Sequence, residues 1–236
     1  MRTHITGVND NLRLARALAE ELKLPLIQIA RKGELARMTA DPNQVRDIEL
    51  TADGALRLIE SYLFSTRVLL TQQQLDLEPI SVGSTMYDIA QYLSGHARMY
   101  NCDLDIDVKS SIGLAMAHPE ALKSVLTSLA FTLISTPNDR LSRKKVVLSA
   151  ARVDNVIRAQ VISVDHIIAK DSLAQARNLS GVARKTSKDI SHNTGAGVLL
   201  ADRLMKAMNS DLKITRMGSS SGLGGDLLIS KQLSLI

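Results

Sequence analysis

The sequence predicts an α+β protein: an N-terminal two-helix hairpin forming a dimeric four-helix bundle, followed by an α/β-sandwich domain. Two observations carry this. Residues 8–38 and 44–75 repeat small or apolar side chains every seven positions, whereas from Leu77 onward short strands alternate with helices. A third bounds the core: with two Phe, four Tyr and no Trp among 236 residues, it must be aliphatic. At 45% hydrophobic and 22% charged, the chain is globular rather than disordered.

In the first segment Val8, Ala15, Leu22, Ile29 and Ala36 fall seven apart, with Leu12, Ala19 and Leu26 four further on. Pro25 lies inside this run and predicts a kink, because it removes an N–H and crowds the preceding turn. The turn-rich string Thr39-Ala40-Asp41-Pro42-Asn43 ends the helix. The second helix, about 44–75, places Ile48, Ala55, Tyr62 and Leu69 seven apart, supported by Ala52, Ile59 and Thr66. One such hairpin leaves a wide apolar stripe uncovered, so two are expected to pair. Spacing alone is equally compatible with any antiparallel helical pair.

In the second segment Glu78–Val82 reads as a strand, and Ser84 as the N-cap of a helix to about residue 98. Cys102–Val108 alternates as a strand, and Leu114-Ala115-Met116 is a short one. Pro119 opens a helix to about Ser135. Lys145–Ala151 and Val156–Val164 form a hairpin around Asp154-Asn155. Residues 166–194 read as polar and irregular; Gly197–Met208 is helical, and Asp211–Arg216 and Gly225–Lys231 are closing strands. The expected division is residues 1–76 and 77–236.

The first helix carries Leu18-Ala19-Glu20-Glu21-Leu22-Lys23-Leu24-Pro25-Leu26-Ile27. This string resembles the H-box of sensor histidine kinases, S-H-E-L-R-T-P-L. Glu21, Leu22, Pro25 and Leu26 match it, and Lys23 replaces its arginine. Glu20 stands in the place of the phosphoacceptor histidine, and a carboxylate cannot act as that neutral imidazole nucleophile. The resemblance favours the histidine kinase dimerisation hairpin over an anonymous helical pair. The element order from 78 to 233 resembles the ATPase-type domain shared by histidine kinases, gyrase-type topoisomerases and Hsp90-like chaperones.

The resemblance implies a nucleotide pocket, and its motifs are mostly changed. The N-box L-x-N-L-x-x-N-A corresponds to residues 126–133, where Ser128 and Thr132 replace both asparagines. A threonine hydroxyl reaches less far toward a phosphate-bridging Mg²⁺ than the asparagine. The general-base glutamate of related ATPases would fall near Ser124 or Thr127. The G1 box D-x-G-x-G keeps Asp165, which the resemblance assigns to the adenine amino group, but Ile167 and Ala169 replace its glycines. Ile167 is expected to project into the pocket. Gly195 and Gly197 match the G2 box and open a helix whose N–H groups suit phosphate. Gly222-Leu223-Gly224-Gly225 resembles the closing glycine turn. ATP with Mg²⁺ is therefore expected to bind weakly or not at all, with no other cofactor and no metal.

Other chemistry finds little support. His96 reads as a solvated helix-face residue, His118 as an exposed turn residue, and no histidine pair has ligand spacing. His166 neighbours Asp165, but adjacent strand residues point to opposite faces. Lys170, Arg177, Arg184, Lys185 and Lys188 read as a solvated loop in the lid region. The +5 charge without base-stacking aromatics argues against nucleic acid. One cysteine, Cys102, forms no internal disulfide; with no membrane-length apolar run or signal-peptide core, the expected location is cytoplasmic.

The reading is a catalytically degenerate histidine kinase: a homodimer that docks a response regulator receiver domain or partner kinase, helped by Arg16 and Lys23. Related phosphatase elements E-x-x-T or E-x-x-N keep Glu21 but lose their polar residue to Leu24. Two rivals stay open. One is a divergent active ATP-dependent kinase, on Asp165, Gly195 and Gly197. The other is an ATP-independent phosphorelay phosphotransferase, against which Glu20 counts.

Overall fold

The computed structural model describes residues 19, 22–23, 25–39, 42–71, 75–136, 143–164, 167–178 and 196–231. Two helices lead, α1 over 25–39 and α2 over Pro42–Thr71. Leu22 and Lys23 are also helical. Pro42 is the first helical residue of α2, a position where its missing N–H removes no intrahelical bond. Lys32 on α1 pairs with Asp47 on α2. One face of α2 is buried on the rest of the chain through Thr51, Ala55, Ser61, Ser65 and Val68.

The remaining elements are β1 Glu78–Ile80, α3 Val82–Met99, β2 Cys102–Val108, β3 Ala115–Ala117, α4 Pro119–Ser135, β4 Lys144–Val153 and β5 Val156–Ser163. Then follow α5 Lys170–Asn178, α6 Ala196–Ala207, β6 Lys213–Met217 and β7 Ser220–Leu228. The main sheet runs β2-β4-β5-β7-β6, parallel between β2 and β4 and antiparallel elsewhere; β1 and β3 form a separate antiparallel pair. Alternation along each strand sends Leu104, Val146, Leu148, Val161 and Leu223 into one core with Met86, Ile89 and Leu93 of α3, Leu122, Leu126 and Leu129 of α4, and Val198 and Leu204 of α6. That core is aliphatic, as the composition requires. Among the described residues no helix is long and apolar enough to cross a membrane.

Local chemistry sets the ends of these elements. Ser81, in an extended conformation, caps α3 by accepting from Ser84 N–H at 3.2 Å; the cap therefore lies three residues before the expected Ser84. His118 caps α4, its Nδ1 accepting from Ala121 N–H at 3.3 Å, with Pro119 as the first helical residue. Lys144 closes the other end of α4 by donating to the carbonyls of Leu133, Ile134 (3.4 Å) and Thr136 (2.6 Å). Asp154, with φ of 53°, turns β4 into β5 as the Asp154-Asn155 pair predicts.

Two stretches differ from the sequence reading. The string Gly222-Leu223-Gly224-Gly225 lies inside β7, and the turn sits earlier, around Gly218 at φ of 62°. A Cβ at Gly222 would meet the Val161 carbonyl oxygen at 2.4 Å, and one at Gly224 the Ala159 oxygen at 2.3 Å. These glycines permit close strand approach rather than reversal. The other is α5, in a region read as irregular. Its helical signal is faint because, among its described side chains, only Ser172, Leu173 and Ala176 are buried, but tertiary bonds hold it. Arg177, expected in a solvated loop, donates to Asp202 Oδ1 on α6 at 2.8 Å and to the Leu212 carbonyl at 2.6 Å.

Candidate functional site

The expected pocket positions converge on the seam between α4 and α6. Ser128 and Thr132 are four residues apart on α4, so they lie one above the other on the face toward α6. Both are buried. Thr132 Oγ1 donates to the Ser128 carbonyl at 2.8 Å, so its hydroxyl is spent on its own helix. Gly197, the second residue of α6, is pressed on the same spot. A Cβ there would lie 2.5 Å from Thr132 Oγ1 and 3.1 Å from the Ser128 carbonyl oxygen. The missing side chain at Gly197 lets α6 pack closely on α4.

The start of α6 is covered as well. Ala196, Leu199 and Leu200 are buried together against Tyr62 of α2. Tyr62 and Leu22 also cover Phe131 of α4. Ser128, Thr132 and Gly197 thus lie in a packed seam next to the helical pair. Ile167 is 61% exposed and does not fill a pocket; its neighbour Ile168 is the buried one, its N–H donating to Ser221 Oγ of β7 at 2.5 Å. Ala169 is exposed. Asp165, His166, Gly195, Glu20, Glu21 and Leu24 lie outside the described residues; Lys23 is exposed and Pro25 buried on α1's side of the chain.

Comparison with known proteins decides the fold. No protein-family profile and no curated protein matches the chain. Solved structures do. The histidine kinase AdeS of Acinetobacter baumannii superposes with a TM-score of 0.56 at 13% identity, over 90% of this chain and 98% of that one. Full-length ShkA, crystallised with AMPPNP, gives 0.57 at 17%, over 92% of this chain and 46% of that one. The catalytic domain of the histidine kinase ThkA gives 0.51 at 11%, over 65% of this chain and 96% of that one. This chain has the fold of a histidine kinase core.

In histidine kinase terms, the α2 region corresponds to the helical hairpin and the remainder to the ATPase-type sandwich. The run 126–133, expected as the N-box, lies on α4, and Gly197, expected in the G2 box, lies on α6. Among the described residues no three His, Cys, Asp or Glu side chains converge to hold a metal ion.

Two features of this histidine kinase fold were not read from sequence. His96, expected on a solvated face, is buried on α3, stacked on Phe131 at 4.3 Å between centroids and 4.7 Å from Tyr100. Burial pushes its pKa down to about 4, and its Nδ1 has no hydrogen-bond partner among the described residues. The second is a cavity between α2, α3 and α4 whose walls include Arg57, Tyr92 and Lys123. Neither has a sequence signal, because each joins residues from elements distant along the chain.

Proposed function

We propose that this protein is a catalytically degenerate histidine kinase that works as a homodimeric interaction module in two-component-type signalling, docking a response regulator receiver domain. The observation that carries the reading is the replacement of both N-box asparagines by Ser128 and Thr132, with the Thr132 hydroxyl turned into its own helix beneath Gly197. Glu20 at the phosphoacceptor position points the same way. The functional division follows, residues 1–76 for dimerisation and docking, 77–236 as the ATPase-like support.

A dimer is supported by the apolar surface that one chain leaves uncovered. Leu56 and Leu63, seven apart on α2, are each 56% exposed. A second hairpin against this surface would complete a four-helix bundle.

Calorimetry with ATP and Mg²⁺ tests the degenerate site, with no binding tighter than ~10 µM, about 7 kcal/mol, as the expected result. Tighter Mg²⁺-dependent binding would favour a divergent active kinase. Glu20→His tests the docking surface. The variant should accept phosphate from a phosphorylated receiver and gain none from ATP directly. If a folded, dimeric variant takes phosphate from no receiver, the docking reading fails.

A further inference from the structure

Where α2, α3 and α4 meet, the helices form an open-sided cavity of about 320 Å³, a size that suits small organic molecules. Phe64 of α2 with Ile89 and Tyr92 of α3 supply its apolar surface. Tyr92 is fixed, its hydroxyl donating to the Asp53 carbonyl at 2.9 Å with the Arg57 guanidinium 4.5 Å over the ring. Arg57 also reaches Glu60 at 3.4 Å, so that pair is already engaged.

Three other charges line the cavity without such engagement. Asp88 on α3 and Glu120 and Lys123 on α4 have no ion-pair partner among the described residues. Two carboxylates and one ammonium, uncommitted at the edge of an apolar surface, match a ligand that carries both signs. A polyanion would meet Glu60, Asp88 and Glu120 together, and a purely apolar molecule would use none of the three solvent-exposed charges.

We propose that this cavity binds a small zwitterion with an apolar side chain, of the α-amino-acid class. Asp88 and Glu120 take its ammonium, Lys123 takes its carboxylate, and the side chain lies against Phe64 and Ile89. Because α2 forms one wall and α3 and α4 the others, a bound molecule favours the observed seating of α2 over any alternative one. Ser124 and Thr127, which the resemblance places near the nucleotide site, also line the cavity, but none of the proposed ligand contacts belongs to the α4–α6 seam.

The test uses the full chain and L-phenylalanine, with L-leucine as an aliphatic counterpart, by calorimetry and thermal shift. Phenethylamine presents the ammonium alone and 3-phenylpropionate the carboxylate alone. The zwitterion should bind at least about tenfold more tightly than either half. Lys123→Met should weaken L-phenylalanine by about tenfold and leave phenethylamine unchanged. Joint Asp88→Asn and Glu120→Gln should weaken L-phenylalanine and leave 3-phenylpropionate unchanged. The proposal is overturned if neither amino acid binds the folded protein at ~10 mM, about 3 kcal/mol. It is equally overturned if a half-ligand binds as well as the zwitterion, or if these variants bind like wild type.

Discussion

His96 sits where α2, α3 and α4 meet, against Phe131 and Tyr100, with its Nε2 3.4 Å from Ser135 Oγ. Desolvation of the imidazolium lowers its pKa from 6.5 to about 4. Above pH 6.5 the ring is neutral in both folded and unfolded chains, so it adds no pH dependence there. As pH falls from 6.5 toward 4 the unfolded chain takes up a proton that the folded chain refuses, and stability declines. At about 1.4 kcal/mol per pH unit the loss reaches roughly 3 kcal/mol near pH 4. His96→Phe keeps an aromatic ring in the stack and has nothing to protonate. Its stability difference between pH 7 and pH 4.5, from urea melts, should shrink by about 2 kcal/mol relative to wild type. An unchanged difference would place the acid sensitivity elsewhere. No sequence signal reported this burial: His96 is followed two residues later by exposed Arg98, and α2 and α4, both thirty-odd or more positions away, cover it.

At the scale of elements, the α4–α6 seam depends on one glycine. Gly197→Ala places a methyl 2.5 Å from Thr132 Oγ1, which is held by its bond to Ser128, and 3.1 Å from backbone. The helices must separate, at a cost of about 1–3 kcal/mol. Thr132→Ala removes the closer obstacle, so the Gly197→Ala penalty should fall by ~1 kcal/mol or more in that background. A double-mutant cycle of denaturant midpoints measures this, and strict additivity would mean that the two residues do not touch. Gly197 was legible as part of a helix entry and falls in the first turn of α6, while Gly195 lies outside the described residues. What the glycine faces was not legible, because Thr132 comes from a different helix.

At the scale of the whole molecule, the helical pair has two apolar faces with different fates. Ala55 and Tyr62, predicted on the dimer seam, are turned to the chain's own sandwich: Ala55 is buried and Tyr62 packs on Phe131, Leu199 and Leu200. Asp at Ala55 would therefore damage the fold itself. Leu56 and Leu63 lie on the side that one chain leaves open. Asp at both should abolish association, with two carboxylates in an apolar interface costing several kcal/mol, and should move the thermal midpoint of the chain only slightly. Light scattering at micromolar concentration checks this. A monomeric wild type would remove the homodimer from the proposal.

The class of fold, the order of nearly all elements and the aliphatic nature of the core are legible in the sequence. Those properties follow from local periodicity: seven-residue spacing for the helical pair, alternation for strands such as Cys102–Val108, and turn or cap chemistry at Asp154 and Pro119. The sequence also singled out Ser128, Thr132, Ile167 and Ala169 as expected pocket positions by their place in strings. Tertiary structure alone decided which of those positions are covered. Thr132 is closed by Gly197, Ile167 turns out to solvent while Ile168 turns in, and glycines 222 and 224 serve strand approach rather than a turn. It decided the faint helix α5, whose Arg177 is held by Asp202 and Leu212, and the charged cavity under α2. The physical reason is range. Propensity and period act over a few neighbouring residues, whereas burial, close backbone approach and charge pairing depend on partners that only folding brings together.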